Sequence, residues 1–373
     1  MLENNIILFN NKIKPISIFV IFCIFLYIIY FSLVNQQNIL YKNHTQNNIV
    51  KTSNFYGENL TQYDGEIECL SFNTLISFPD KIFMNYNTNS SNIFDDKITA
   101  QEFKNILQNL YDNNYTLLDI ESVYSTHEKT TYKSFLFPVN KKPLLMFFQN
   151  VTYRSSFKNT GEIDKIIIDR NNNLASYSTK QSIQDRIHYD NEFILILENF
   201  ISIHPDFSFN SARGVICFSG DNGLLGYNTS HKNVSYKYET KRVSQVIRRL
   251  QSMGWKFGCN NYSYVDNSNL SDIQFAKDLS LWKNEVEPII NITNIYSFPY
   301  GNKNITPEKQ NLLLENNFEI FIYKDNANCN QLLKDNCLFI STREITGQTL
   351  LNNREDFLHL FDCNKIIDKN FRK

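Results

Sequence analysis

Neither sign of charge prevails in this chain: Lys and Arg number 37, Asp and Glu 38, in 373 residues. A balance that close creates no field that would draw the protein to nucleic acid, and no nucleic-acid partner is expected. Glycine (11) and proline (8) are sparse, and no glycine-rich phosphate loop, G-x-S-x-G elbow or C-x-x-C pair occurs. Those absences leave phosphate cradling, serine hydrolysis and cysteine-metal chemistry without support. His188, His204, His231 and His359 are scattered and read as solvated residues. Asparagine is abundant, as codon bias in an AT-rich genome would make it. The N-x-S/T sequons at Asn43, Asn59 and Asn291 are then expected by chance.

One long apolar run is present. Pro15 to Val34, PISIFVIFCIFLYIIYFSLV, carries no charge and is long enough for a bilayer core of roughly 30 Å. Lys12 and Lys14 precede it, and the next cation is Lys42. The positive-inside rule therefore expects a cytoplasmic N-terminus at 1–14, a transmembrane signal anchor at 15–34 and everything after it outside. The run exceeds the apolar core of a cleaved signal peptide, and no A-x-A-like site follows. Residues 35–64 are polar and Asn/Gln-rich without a period, which suits a flexible stalk, and the folded part is expected over 65–373. Of the seven cysteines, Cys217 and Cys259 fall in apolar segments as core residues, whereas Cys329 and Cys337 could close a short disulfide loop.

Beyond the stalk, helical and strand patterns alternate. Thr99 with Glu102 forms a capping box before Phe103, Ile106, Leu107 and Leu110 at helical spacing. A strand is expected over Thr116 to Ile120 and a doubly covered one over Pro143 to Phe148. A helix at Phe193 to Ile203 ends before Pro205, and Gly214 to Ser219 reads as the next buried strand. Val243, Val246, Ile247 and Leu250 mark another helix, Gly254 stops it, and Lys256 to Cys259 resumes as strand. The unit repeats as helix Ser271 to Glu287, strand Ile295 to Phe298, a helix opening at Thr306–Pro307, and strand Phe318 to Tyr323. Strand Cys337 to Ser341 and helix Asn353 to Leu360 close the series, and Glu162 to Tyr177 reads as an inserted hairpin. Such alternation implies parallel βαβ units in a (β/α) barrel, with an open doubly wound sheet as the alternative. Barrel chemistry sits at the C-terminal strand ends. The candidates there are Gln149 and Asn150, Ser219 to Asp221, Asn260 to Tyr264, and Pro299 to Gly301.

Six stretches follow one another between Cys69 and Asp362: CLSFNTLI, ITAQEFKNILQNLYDNNYTL, KKPLLMFFQNVTY, HPDFSFNSARGVICFSGDNGLLGYNT, YETKRVSQVIRRLQSMGWKFGCNNYSY and IYSFPYG. In that order and spacing the chain resembles the NodB-type polysaccharide deacetylases of carbohydrate esterase family 4. The resemblance implies a distorted (β/α) barrel, and a divalent metal such as zinc that removes N-acetyl groups from polysaccharide. In active members the strand after the K-K-P stretch ends in two aspartates, a catalytic base and a metal ligand. Those positions read Gln149 and Asn150 here. The family's H-S-x-x-H motif falls on Asn260 and Tyr264, and an early histidine on Asn73.

Neutral amides are poor ligands for zinc-class ions and take no proton near pH 7. A phenol with a pKa of roughly 10 replaces imidazole poorly. Loss of catalysis is therefore expected, with no catalytic residue, metal or other cofactor, although an atypical active hydrolase is the competing class. What remains is a groove that binds cell-wall or surface polysaccharide, or a protein partner. Tyr153, Tyr262, Tyr264 and Tyr300 are its candidate sugar-stacking aromatics, with buried packing expected for at least half of them. Asp221, in the turn sequence Asp-Asn-Gly, and Pro299 complete the candidate groove.

Overall fold

The computed structural model describes residues 59–83, 95–125, 131–132, 134–153, 161–179, 181–326 and 329–372. All belong to one compact unit, Thr52–Lys373. The expected cytoplasmic segment, the apolar run 15–34 and most of the stalk lie outside the described residues. Among the described residues no helix is long and apolar enough to cross a membrane.

Seven parallel strands follow one another around a closed barrel. They are β1 (Glu68–Phe72), β2 (Lys142–Gln149), β3 (Val215–Phe218), β4 (Lys256–Cys259), β5 (Ile295–Ser297), β6 (Ile320–Lys324) and β7 (Cys337–Glu344). Each pairs with the next, and β7 returns to β1 through Arg343 beside Leu70 and Glu344 beside Ser71. Closure decides the alternative left open above in favour of the barrel. Alternation along each strand explains the uninterrupted apolar runs, because both faces are covered. Leu145 and Phe147 pack with Cys69, Val215, Cys217, Ile322 and Ile340 inside the barrel. Leu144, Met146 and Phe148 pack outward against the helices.

The helices form the outer layer: α1 (Ala100–Asp112), α2 (Phe193–Ile203), α3 (Tyr236–Met253), α4 (Asp272–Glu285) and α5 (Pro307–Glu315). Thr99 and Glu102 form the expected capping box on α1, and Phe103, Ile106, Leu107 and Leu110 are its buried stripe. Gly254 ends α3 at φ 104°, where a Cβ would stand 2.3 Å from the Ser211 carbonyl. The inserted hairpin is present as antiparallel strands Lys165–Ile168 and Leu174–Tyr177.

Several expected boundaries move. The strand after α1 is only Tyr115–Leu117, because the Asp119 side chain caps a short helix, Ile120–Val123. α4 stops at Glu285, and Pro288 lies in the first turn of a separate short helix, Glu287–Ile290. In place of one helix over Asn353 to Leu360 there is a helix at Gly347–Asn352, started by Thr346, and a 3-10 turn at Arg354–Phe357. Leu60–Tyr63, assigned to the stalk, pairs with Phe135–Pro138, and the Tyr63 ring packs on Phe135 and Phe137.

The Cys329–Cys337 loop that the sequence left open does not form. Gln331–Lys334 runs antiparallel to β7, with Lys334 opposite Cys337 and Gln331 opposite Ile340, so the two cysteines sit toward opposite ends of that pairing. Both thiols are free, and Cys329 instead donates to Glu68 Oε1 at 2.9 Å. A disulfide needs Cα atoms within about 7 Å, which this register does not allow.

Candidate functional site

The C-terminal strand ends gather one set of side chains at the barrel mouth. Asn150, just past β2, is held at φ 52°, and its backbone N–H donates to Asn260 Oδ1 at 3.0 Å. Ser219 Oγ donates to Asn150 Oδ1 at 3.0 Å, while Asn260 Nδ2 donates to the Ser297 carbonyl at 2.8 Å. The ends of β2, β3, β4 and β5 are thus tied by one amide network. β4 and β5 share a single registered residue pair, Cys259 with Tyr296. Side chains strengthen that seam: Asn260 at its top, and Thr293, whose hydroxyl donates to the Phe257 carbonyl at 2.8 Å.

Gln149 closes β2 with 1 % of its surface exposed, and neither its Nε2 nor its Oε1 has a hydrogen-bond partner among the described residues. At the rim, Tyr264 and Tyr300 both have positive φ, 53° and 56°, a costly conformation for aromatic residues. Their ring centroids lie 4.9 Å apart. Tyr264 is 9 % exposed and Tyr300 58 %. Burial first, and then the Glu344 carboxylate, push the Tyr264 phenol well above its ordinary range.

The other candidates have different surroundings. Tyr153 is buried, with its hydroxyl against the Glu192 carboxylate but outside hydrogen-bonding geometry. Tyr262 is also buried; its hydroxyl donates to Glu285 Oε2 at 2.6 Å, and its carbonyl accepts from the N–H groups of Gly220 and Asp221. Both are therefore packing residues with no open ring face. Asp221 is exposed, and its carboxylate accepts from Asn222 Nδ2 at 3.2 Å. Pro299 is buried and opens the turn Pro299–Gly301, while Asn73 donates to the Asp96 carbonyl at 3.1 Å.

Two mouth residues escaped the sequence reading. Lys324 ends β6 and Glu344 ends β7, and they form an ion pair. The expected strands stopped at Tyr323 and Ser341 because the apolar runs stop there. The hydrogen-bonded strands continue into polar residues, and the rule that function lies at strand ends would have named both.

A metal would find the wrong donors at the positions that the sequence resemblance assigns to its ligands. The Asn260 side-chain oxygen already accepts from Asn150, the Asn150 oxygen accepts from Ser219, and the Tyr264 phenol is held protonated. None of the three supplies the thiolate, imidazole or carboxylate that zinc-class ions prefer. Among the described residues no group of three or more His, Cys, Asp and Glu is arranged to hold a metal. The residues present do not fit the cation that the sequence resemblance implies.

No protein-family model matches the chain, and no curated protein does. Among solved structures, Streptococcus pyogenes deacetylase PplD aligns with a TM-score of 0.44 at 12% identity, over 77% of this chain and 95% of that one. A de-N-acetylase from Aggregatibacter actinomycetemcomitans gives 0.43 at 10% identity, over 76% and 96%. A family 4 acetyl xylan esterase from Clostridium thermocellum gives 0.22 at 19% identity, over 32% and 48%. The chain is similar to polysaccharide deacetylases. The architecture itself follows from strand order and closure, and the chemistry from the residues at the mouth.

Proposed function

We propose that this is a membrane-anchored, extracytoplasmic, deacetylase-like protein that lacks metal-dependent catalysis and binds cell-wall or surface polysaccharide at the barrel mouth. The observation that carries the reading is the amide network joining Asn150, Asn260, Ser219 and Ser297. Metal-assisted amide hydrolysis needs a cation to polarise the carbonyl and a base to take a proton from water. Here Asn150 and Asn260, at the ligand positions, spend polar atoms holding strand ends together, and Gln149, at the base position, is a neutral amide. Tyr300, exposed on the rim beside Tyr264, supports a binding role, since a fixed aromatic face suits stacking on a sugar ring. The run Pro15 to Val34, with Lys12 and Lys14 before it, supports the anchor and its orientation.

Acetate release from N-acetylated glycans, with zinc, cobalt or nickel added, tests the catalytic half. We expect none from the native chain. Turnover that a chelator abolishes would overturn the proposal. A variant carrying Gln149→Asp, Asn150→Asp, Asn260→His and Tyr264→His asks whether four positions account for the loss, although supporting partners commonly matter about 10–100-fold. Protease added to intact protoplasts tests topology, and full protection of the C-terminal domain would refute the orientation.

A further inference from the structure

Several described cations of this chain are neutralised at home. Lys97, Lys104, Lys141, Arg213, Lys256, Lys283, Lys324, Arg343 and Arg372 all sit in ion pairs. Helix α3 instead gathers five cations on one element. It carries Lys237, Lys241, Arg242, Arg248 and Arg249 against a single carboxylate, Glu239. All five cations are exposed, and none of them forms an ion pair among the described residues.

Their placement is ordered by the helix. Val243, Val246, Ile247 and Leu250 bury the opposite face. At about 100° per residue, Lys237, Lys241 and Arg248 fall within roughly 40° of one another, a row about 16 Å long. Arg242 and Arg249 make a second row roughly 110° around. The Arg242 guanidinium lies 5.6 Å from the ring centroids of both Tyr227 and Tyr238, which fixes its direction. Like charges one turn apart repel, so the helix holds a strip of uncompensated positive charge on a chain whose overall balance is even.

We infer that this face of α3 binds a linear anionic glycopolymer of the cell envelope, one whose carboxylate or phosphate groups recur along its length. Two parallel cation rows fit a repeating polyanion better than a single small anion, and guanidinium groups match carboxylate and phosphate geometry directly. Tyr238, 60 % exposed beside Arg242, adds a ring face for a sugar. A membrane surface is the poorer fit, because a helix lying in a bilayer interface presents a broad apolar face beside its cations. The apolar face of α3 is buried against the barrel instead. The inference concerns a surface separate from the mouth and does not require the mouth to bind anything.

The test uses the full chain in a nonionic detergent, with polygalacturonate and poly(glycerol phosphate) as probes and dextran as the neutral control. Binding to either polyanion should be at least about tenfold tighter than to dextran, and should weaken about tenfold or more as NaCl rises from about 50 to about 300 mM. Lys237→Glu, Lys241→Glu and Arg248→Glu together should cost about tenfold or more in affinity. A matched reversal of exposed cations elsewhere, Lys334→Glu, Lys365→Glu and Lys369→Glu, should cost little. The same α3 positions changed to Gln serve if the Glu variant fails to fold. Equal losses in both triple variants, equal affinity for dextran, or binding confined to phosphatidylglycerol vesicles or to DNA would overturn the inference.

Discussion

The backbone N–H of Asn150 donates to the side-chain oxygen of Asn260 across 3.0 Å, joining the ends of two strands 110 residues apart in sequence. Replacing Asn260 with Ala strands that donor, at a half-buried position, and also the Ser297 carbonyl, at a buried one. The expected cost is about 1–3 kcal/mol, read as a lower urea midpoint at unchanged slope. Asn260→Asp should also destabilise, since it keeps the acceptor but sets a carboxylate against the Ser297 carbonyl. Wild-type midpoints for both variants would mean that the network contributes nothing to the fold.

Tyr300 offers the opposite case, a rim residue in a strained conformation at φ 56°, ψ 7°. Glycine adopts those angles freely, so Tyr300→Gly should leave stability unchanged or raise it by about 1 kcal/mol. On the proposed function the same change should weaken polysaccharide retention about tenfold, while Tyr300→Phe retains it. Undiminished retention by the glycine variant would remove Tyr300 from the binding surface.

Glu192 gives a pH dependence of fixed sign. It is fully buried, and burial first, then the neighbouring Glu162, raise its pKa from 4.5 to about 8. The folded state therefore holds a proton that the unfolded chain releases, and stability falls as pH rises between about 4.5 and about 8. Above that window the contribution is flat. Glu192→Gln keeps an oxygen for the Leu75 and Phe193 N–H groups and removes the titration. Thermal melts at pH 5 and pH 8 should show a smaller difference in the variant than in the native protein. An equal or larger difference would count against a protonated Glu192.

The pair Arg372–Glu102 is almost wholly buried, with side chains 2% and 0% exposed. Glu102 also caps α1 and accepts from the Asp368 N–H at 3.1 Å. Arg372→Ala would leave that carboxylate uncompensated and should cost about 3–5 kcal/mol by denaturant titration. A cost under about 1 kcal/mol would mean that water or another cation takes its place.

Much of the barrel was legible because its signals are local. The Thr99–Glu102 box, the stop at Gly254 and the apolar runs of β2 and β3 each decide their own element. Even the gathering of Asn150, Asn260 and Tyr300 at one end follows from where apolar runs stop. What could not be read is what those side chains do. Whether Asn260 is an idle amide or a strand fastener depends on the Ser297 carbonyl 37 residues away. Tyr153 and Tyr300 look alike in sequence, yet one is buried and the other stands on the rim. Lys324 and Glu344 were missed for a simpler reason: backbone pairing outlasts hydrophobicity along β6 and β7.

The single registered pair between β4 and β5 has a historical consequence. Where backbone bonding is sparse, the side chain that sews the wall becomes hard to replace. If the ancestor of this chain carried imidazole at position 260, the arrival of asparagine did more than end a chemistry, because it took over part of the wall. A later return to histidine would have to give up the fastening before regaining a ligand. On the proposed function, each intermediate on that path is a weaker barrel with no activity to select for, and the loss would act as a ratchet.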